Sequence, residues 1–247
     1  VELARVFARE GHDLVLVARR TEPMQKLADE LKAAHGANAL VLGVDLVAPD
    51  AAAKVKQAVD DAKWHVDVVV NNAGFGFTGS FAALPGDKQA DMVTLNCTTL
   101  TTLSHAFLPG MLERKRGGIL NVASTAGFLP GPFMATYYAT KAYVVSLSQA
   151  LHEELRGTGV HVSALCPGYT ETEFAKVASV HAGESRLFKG EFGTLDAKAV
   201  AELGYRGLQA NKRVVVPGFM NKLSTWSGNV TPTSVLLKIT RRLNTSA

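Results

Sequence analysis

The sequence predicts an α/β fold built on one doubly wound parallel sheet, and three observations lead there. Apolar runs of strand length recur along the chain, each is followed by a stretch of helical periodicity, and the polar and glycine-rich punctuation falls just after the runs end. Runs that are apolar throughout, rather than alternating, are those of parallel strands covered on both faces. At 247 residues, 47% of them hydrophobic, the chain can bury one sizeable core. Its longest apolar runs are too short to span a bilayer, which sets the expectation of a soluble globular protein.

The elements follow in order. Glu2 to Glu10 places Leu3, Val6 and Phe7 on one helical face, and Gly11 is positioned to end that helix. Asp13 to Ala18 is the first strand. A helix from Met24 to Ala34 leads to a strand over Ala39 to Val44, and a helix from Asp50 to Lys63 leads to a strand over Val66 to Val70. A long helical region from Asp87 to Arg114, with an interruption expected at Pro109-Gly110, precedes the strand Ile119 to Val122. A helix carrying Tyr137 and Lys141 runs to Arg156, followed by the strand Val160 to Leu165, the helix Ala197 to Ala210 and the strand Arg213 to Val216. In such sheets ligands bind beyond the carboxyl ends of the strands. Arg19-Arg20, Asp45, Asn71-Asn72-Ala73-Gly74, Ser124 and Pro167-Gly168 all fall on that rim.

Composition narrows the function classes. Cys97 and Cys166 are far apart, without a second pair or histidines at ligand spacing, so a reduced buried pair is expected rather than a disulfide framework or a zinc site. The net charge of +4 is uneven: from Leu203 onward there are seven Lys or Arg and no Asp or Glu, while the rest is slightly acidic. That distribution argues against a general nucleic-acid-binding surface and leaves room for an anionic partner at the C-terminal end.

The chemistry concentrates between Ser124 and Lys141. A phenol four residues before a lysine lies on the same side of a helix, one turn away. A fixed positive charge beside Tyr137 favours phenolate and brings the group toward the working range of a general acid or base. Tyr138 precedes the lysine by three residues and is expected to serve as pocket wall or helix packing.

In its combination of Asn-Asn-Ala-Gly, Asn96, Ser124, Tyr137-x-x-x-Lys141 and Pro-Gly-x-x-x-Thr, in this order, the chain resembles the short-chain dehydrogenase/reductase family up to Pro217. The resemblance implies a Rossmann-like single domain over residues 1–218 and the following roles. Tyr137 is the general acid in reduction and the base in reverse. Lys141 lowers its pKa and holds the nicotinamide ribose, Ser124 polarises the substrate carbonyl, and Asn96 anchors a water relaying protons to the lysine. On the cofactor side it implies Asp45 and Leu46 at the adenine, Asn72, Ala73 and Gly74 at the ribose, and Pro167, Gly168 and Thr172 at the carboxamide. Arg19 and Arg20 stand where enzymes selective for NAD place a carboxylate, so NADP(H) is favoured over NAD(H).

Members of that family open with a strand and a Gly-x-x-x-Gly-x-Gly turn that receives the pyrophosphate. Here Val1 falls where the first helix begins, so the sheet is expected to lack its first central strand, between the strands ending at Ala18 and Val70. Poor cofactor binding is expected of the chain as it stands, and restored activity of a version extended upstream. The rival expectation is a catalytically silent relative that senses a dinucleotide or serves as a scaffold.

The stretch 173–195, with Phe174, Val177, Leu187, Phe188 and Phe192, corresponds to the segment that covers the substrate in the family. With Phe128, Leu129, Phe133 and Met134 it suggests an apolar pocket for a small carbonyl or alcohol. Steroid, acyl thioester, ketone and sugar stay open. Residues 219–247 form a basic amphipathic tail, read either as a contact between subunits of a homodimer or homotetramer or as a segment resting on an anionic membrane or receiving an acyl carrier. A cytoplasmic location, free or peripheral to a membrane, is the accompanying expectation.

Overall fold

The computed structural model of the protein describes residues 1–170 and 195–245. Helix α1 (Glu2–Arg9) is followed by β1 (Leu14–Ala18), α2 (Thr21–His35), β2 (Ala39–Gly43), α3 (Ala51–Asp61) and β3 (Val68–Asn71). Next come α4 (Gly86–Val93), a π-helical turn (Thr94–Thr99), α5 (Leu100–Glu113), β4 (Gly117–Val122), a 3₁₀ turn (Thr125–Phe128), α6 (Ala135–Glu154) and β5 (Val160–Leu165). Then α7 (Ala197–Gln209), β6 (Val214–Val215), α8 (Phe219–Val230) and α9 (Thr233–Asn244) complete the described chain. Every strand pair is parallel. The alternation read from apolar periodicity is therefore present, with ends shifted by a few residues.

Among the described residues the strands form two sheets, β1 beside β2 and a second in the order β3-β4-β5-β6. The break between β1 and β3 falls where the resemblance placed a further central strand. All five residues of β1 are half-buried, whereas the middle of β4 is fully buried, with Ile119 and Leu120 at 0% exposure. Side chains span the break on both faces. Phe7 of α1 joins Leu14 of β1 with Val68 and Val70 of β3 in one apolar cluster, and Val15, Val17 and Leu42 pack with Val69, Ile119, Phe107 and Met111 in another. Adjacent residues of β3 and β4 alternate between these clusters, as the two-residue period of a strand requires.

The expected interruption at Pro109-Gly110 is not found. Helix α5 runs through Pro109 to Glu113, and the irregularity lies earlier, in the π-helical turn at Thr94–Thr99. Helical backbone tolerates a proline where neighbouring groups accommodate it. The inserted residue of a π-turn instead rotates the side chains after it, and such turns concentrate at functional sites.

At the carboxyl ends of β3 and β4 the core contains a polar ladder. Asn71 and Asn121 face each other in register. Asn71 Nδ2 donates to Asn121 Oδ1 at 2.8 Å and to Ser104 Oγ of α5 at 2.9 Å, and Asn121 Nδ2 donates to Ser148 Oγ of α6 at 2.9 Å. Both serine hydroxyls return a hydrogen bond to their own helices, at Leu100 O and Val144 O. Two strands and two helices are thus locked in one register just below the rim. Replacing Asn71 by Ala leaves buried acceptors on Ser104 and Asn121 short of a donor, and the expected cost is about 1–3 kcal/mol, read as a lower urea midpoint with unchanged slope. An unchanged midpoint would show the ladder to be dispensable.

Candidate active site

The π-helical turn aims Asn96, 1% exposed, at the loop after β3. Its Nδ2 donates to Phe75 O at 3.0 Å and to Thr140 Oγ1 at 3.1 Å, and its Oδ1 accepts from the Phe75 amide at 3.2 Å. Gly74 makes this approach possible: a methyl group there would sit 2.9 Å from Asn96 Oδ1 and 3.7 Å from Lys141 Nζ. The glycine of Asn-Asn-Ala-Gly is therefore required by the packing of two neighbouring polar side chains.

Ser124 lies in extended backbone, φ −170° and ψ 160°, and caps the 3₁₀ turn. Its Oγ accepts from the Ala126 amide at 3.1 Å and donates to Pro167 O at 3.4 Å. The same side chain shares a hydrogen bond with Tyr137. Pro167 O also receives the Thr125 amide at 3.0 Å, so the turn after β5 is fastened to the one after β4, placing Pro167 and Gly168 beside Ser124.

Tyr137 and Lys141 sit on α6, both buried, with Lys141 Nζ 5.7 Å from the centre of the Tyr137 ring. Burial pushes the Tyr137 phenol upward from its ordinary value, the Ser124 hydrogen bond opposes that shift, and the neighbouring Tyr138 adds to it. Loss of hydration is the largest of these causes, and the group is held as the neutral phenol. Lys141 is itself lowered, to about 8, by burial. Its Nζ donates to Val122 O at 2.8 Å.

Cys97 and Cys166, both buried and unlinked, flank this lysine. Burial pushes Cys97 up to about 11 and Cys166 up to about 12, with the Lys141 charge opposing both shifts. Neither thiol is activated as a nucleophile.

Tyr138 turns away, as its spacing indicates. Its ring lies against Gly131, where a side chain would collide with it, and its hydroxyl donates to Asn244 Oδ1 at 3.4 Å. Asn244 of α9 also donates to Pro132 O at 2.8 Å, and Arg241 covers the Phe133 ring at 5.6 Å. Phe133 adopts φ +65°, a left-handed conformation unfavourable for an aromatic residue, and its carbonyl accepts from the Gly79 amide at 2.7 Å. The C-terminal helix therefore clasps the loop leading into the Tyr137 helix. Met134 joins Met92, Tyr137 and Tyr138 in an apolar cluster with Phe75, Phe77 and Leu129 along its margin. Phe128 packs elsewhere, against Val144, Val145 and Ala164.

The remaining rim residues are accessible. Arg19 and Arg20 are exposed beyond β1 and form no ion pair among the described residues. Asp45 is exposed beyond β2, its Oδ1 accepting from the Val47 amide at 3.1 Å, and the buried Leu46 gives its carbonyl to Thr99 Oγ1 at 2.6 Å. Asn72 and Ala73 are exposed beyond β3. Thr172 and the stretch 173–194 of the expected lid lie outside the described residues. The rim therefore offers cations beyond β1, a carboxylate beyond β2 and open backbone beyond β3.

Sequence reading did not find the Asn71–Asn121 ladder, the Thr140 contact to Asn96, or the Asn244 clasp. The first left a signal, an asparagine near the end of each of two neighbouring apolar strands; the others depend on contacts between distant parts of the chain.

Lys141 supplies a pH test. Its pKa falls from 10.5 unfolded to about 8 folded, so between those values the unfolded chain binds more protons and the group's contribution to stability rises with pH. Below about 8 the cost of burying the ammonium is felt in full. The stability advantage of Lys141→Met over the native chain is expected to shrink as pH rises through this window, in urea unfolding at a series of pH values. A constant difference would mean an ordinary lysine.

The family model for short chain dehydrogenases matches residues 1–182. A very-long-chain 3-oxoacyl-CoA reductase of Bos taurus is 32% identical over 178 residues, 70% of this chain and 56% of that protein. An uncharacterized oxidoreductase of Myxococcus xanthus is 36% identical over 171 residues, 69% of this chain and 67% of that protein. The match to the bovine and human reductases thus spans little more than half of their length. Among solved structures, a short-chain dehydrogenase from Sphingobium yanoikuyae in complex with NADPH has a TM-score of 0.78 and 31% identity, over 93% of this chain and 88% of that one.

Proposed function

The chain belongs to the short chain dehydrogenase family, and from that premise we propose that it is an oxidoreductase transferring hydride between NADP(H) and an apolar carbonyl or alcohol substrate. The observation that carries this reading is the buried meeting of Ser124, Tyr137 and Lys141 beside Asn96, on the rim where the exposed cofactor-side residues gather. Bound nicotinamide would supply the hydride.

The roles of the side chains follow from their states. Tyr137, kept protonated by burial, is the proton donor to the carbonyl oxygen in reduction, and Ser124 gives that oxygen a second hydrogen bond. Lys141, with its pKa near 8, holds the nicotinamide ribose and resupplies the phenol, and Asn96 orients the water that feeds it. Arg19 and Arg20 receive the 2′-phosphate, Asp45 and Leu46 the adenine, Asn72, Ala73 and Gly74 the ribose, and Pro167 and Gly168 the carboxamide.

The apolar residues around the Tyr137 helix, Met92, Met134, Phe75, Phe77 and Leu129, support an apolar substrate. Relatives named as very-long-chain 3-oxoacyl-CoA reductases support an acyl chain with a 3-oxo group as the first class to try, and remove any reason to restrict the substrate to small molecules. A homodimer or homotetramer belongs to the same reading, supported by Leu112 of α5 and Tyr143 of α6, apolar side chains exposed on neighbouring helices.

Oxidation of NADPH and NADH with a panel of 3-oxoacyl thioesters, ketones and steroids tests the activity. Tyr137→Phe is expected to lower kcat by about a hundredfold or more, and turnover retained in that variant would refute the assigned acid. Arg19→Glu is expected to shift the ratio of kcat/KM for NADPH over NADH by roughly tenfold to a hundredfold toward NADH, the worth of a charge-assisted contact. A ratio unmoved by that change would place the 2′-phosphate elsewhere.

A further inference from the structure

Helix α8 is amphipathic in the reverse sense for a surface helix. The side turned to the body carries Asn221, Thr225 and Gly228, with Thr225 buried and Asn221 Nδ2 donating to Pro217 O at 2.8 Å. A methyl group at Gly228 would sit 2.7 Å from Leu129 Cδ2, so small residues on this side let the helix press against the loop after the 3₁₀ turn. The side turned outward carries Phe219, Leu223, Trp226 and Val230, spaced four, three and four residues apart, so that they form one stripe along the helix. Phe219 is 78% exposed, Trp226 63% and Val230 64%.

Helix α9 is anchored to the same loop region, at Pro132 and Tyr138. Its inward side is Leu236, Thr240 and Asn244, all buried, while Val235, Leu237 and Ile239 are exposed among Lys238, Arg241 and Arg242. From Leu203 to the end the sequence has no Asp or Glu, and among the described residues Lys222, Lys238 and Arg242 form no ion pair. An exposed apolar stripe of this size, with an aromatic pair and an unbalanced basic border, is not needed for packing.

We propose that α8 and α9 dock the protein on an anionic lipid surface, with Phe219, Leu223, Trp226 and Val230 entering the interface and Lys222, Lys238 and Arg242 meeting the headgroups. The charge decides between this occupant and a second copy of the chain. Two copies joined through the patch would bring like-charged borders together without a carboxylate on α8 or α9 to offset them, whereas a bilayer containing anionic lipid offers an apolar layer beneath a negative one. Among the described residues no helix is long and apolar enough to cross a membrane, so the attachment is peripheral. It does not depend on catalysis, and its test needs no substrate.

The full chain is floated with vesicles of phosphatidylcholine alone and with vesicles of phosphatidylcholine and phosphatidylglycerol in equal parts. Binding to the mixed vesicles only, with a blue shift of tryptophan emission that Trp226→Phe abolishes, is expected. Each of Lys222→Gln, Lys238→Gln and Arg242→Gln is expected to lower the partition coefficient up to about fivefold, and molar salt, where the screening length is about 3 Å, to remove most of the charge-dependent part. The pair Phe219→Ser and Trp226→Ser is expected to abolish binding while leaving the melting temperature within a few degrees, because both side chains are exposed. No binding to anionic vesicles at low salt overturns the proposal. So does equal binding to neutral vesicles, and so does a concentration-dependent dimer in sedimentation equilibrium that the serine pair dissociates while vesicle binding stays absent.

Discussion

The site is organised around a buried ammonium. Removing a lysine charge from water is costly unless it is paired, and Lys141 answers that cost with a hydrogen bond to Val122 O and a pKa brought down to about 8. The neighbourhood follows from that placement. The carbonyl at the end of β4 is used by the lysine, and Gly74 is kept free of a side chain so that Nζ and Asn96 can share the space before it. Asn96 reaches that space from a π-turn and is fixed by Thr140, on the same helix as the lysine. The Asn71–Asn121 ladder beneath keeps β3, β4, α5 and α6 from sliding past one another.

Tyr137 draws its state from the same burial. The phenol has moved up rather than down, because dehydration acts on the whole group while the lysine lies over its ring and bonds elsewhere. A neutral phenol suits proton donation in reduction. Running the reverse reaction calls for phenolate, which the positive charge of a bound oxidised nicotinamide would favour in the proposed function.

Local patterns made the order of elements legible. Five-residue apolar runs and helical periodicity report burial on two faces or one, and they placed every strand of the described chain. The four-residue spacing separated Tyr137 from Tyr138 for the same reason, since neighbours on a helix differ in direction by more than a right angle. Patterns that depend on contacts between distant segments were not legible. Pro109 looked like a break because proline lacks an amide hydrogen, yet the helix continues past it; the true irregularity at Thr94–Thr99 has no proline or glycine to mark it. Sequence spacing carries distance but no hydration, so the upward push that burial gives Tyr137 was not legible.

The two C-terminal helices connect this chemistry to the outer surface. α8 rests on the loop at Leu129, and α9 holds Pro132 and Tyr138 through Asn244 and covers Phe133 with Arg241. Both anchor points belong to the segment that leads into the Tyr137 helix, and Phe133 stays in its left-handed conformation only while its surroundings hold it there. Forces applied to α8 and α9 therefore arrive at the entrance to the reaction centre within a few residues. A protein resting on lipid by the Phe219–Val230 stripe would bring that entrance close to the bilayer surface. The outward stripe and the inward clasp are then two sides of one device, which explains why α8 spends its small polar residues on packing and its large apolar ones on solvent.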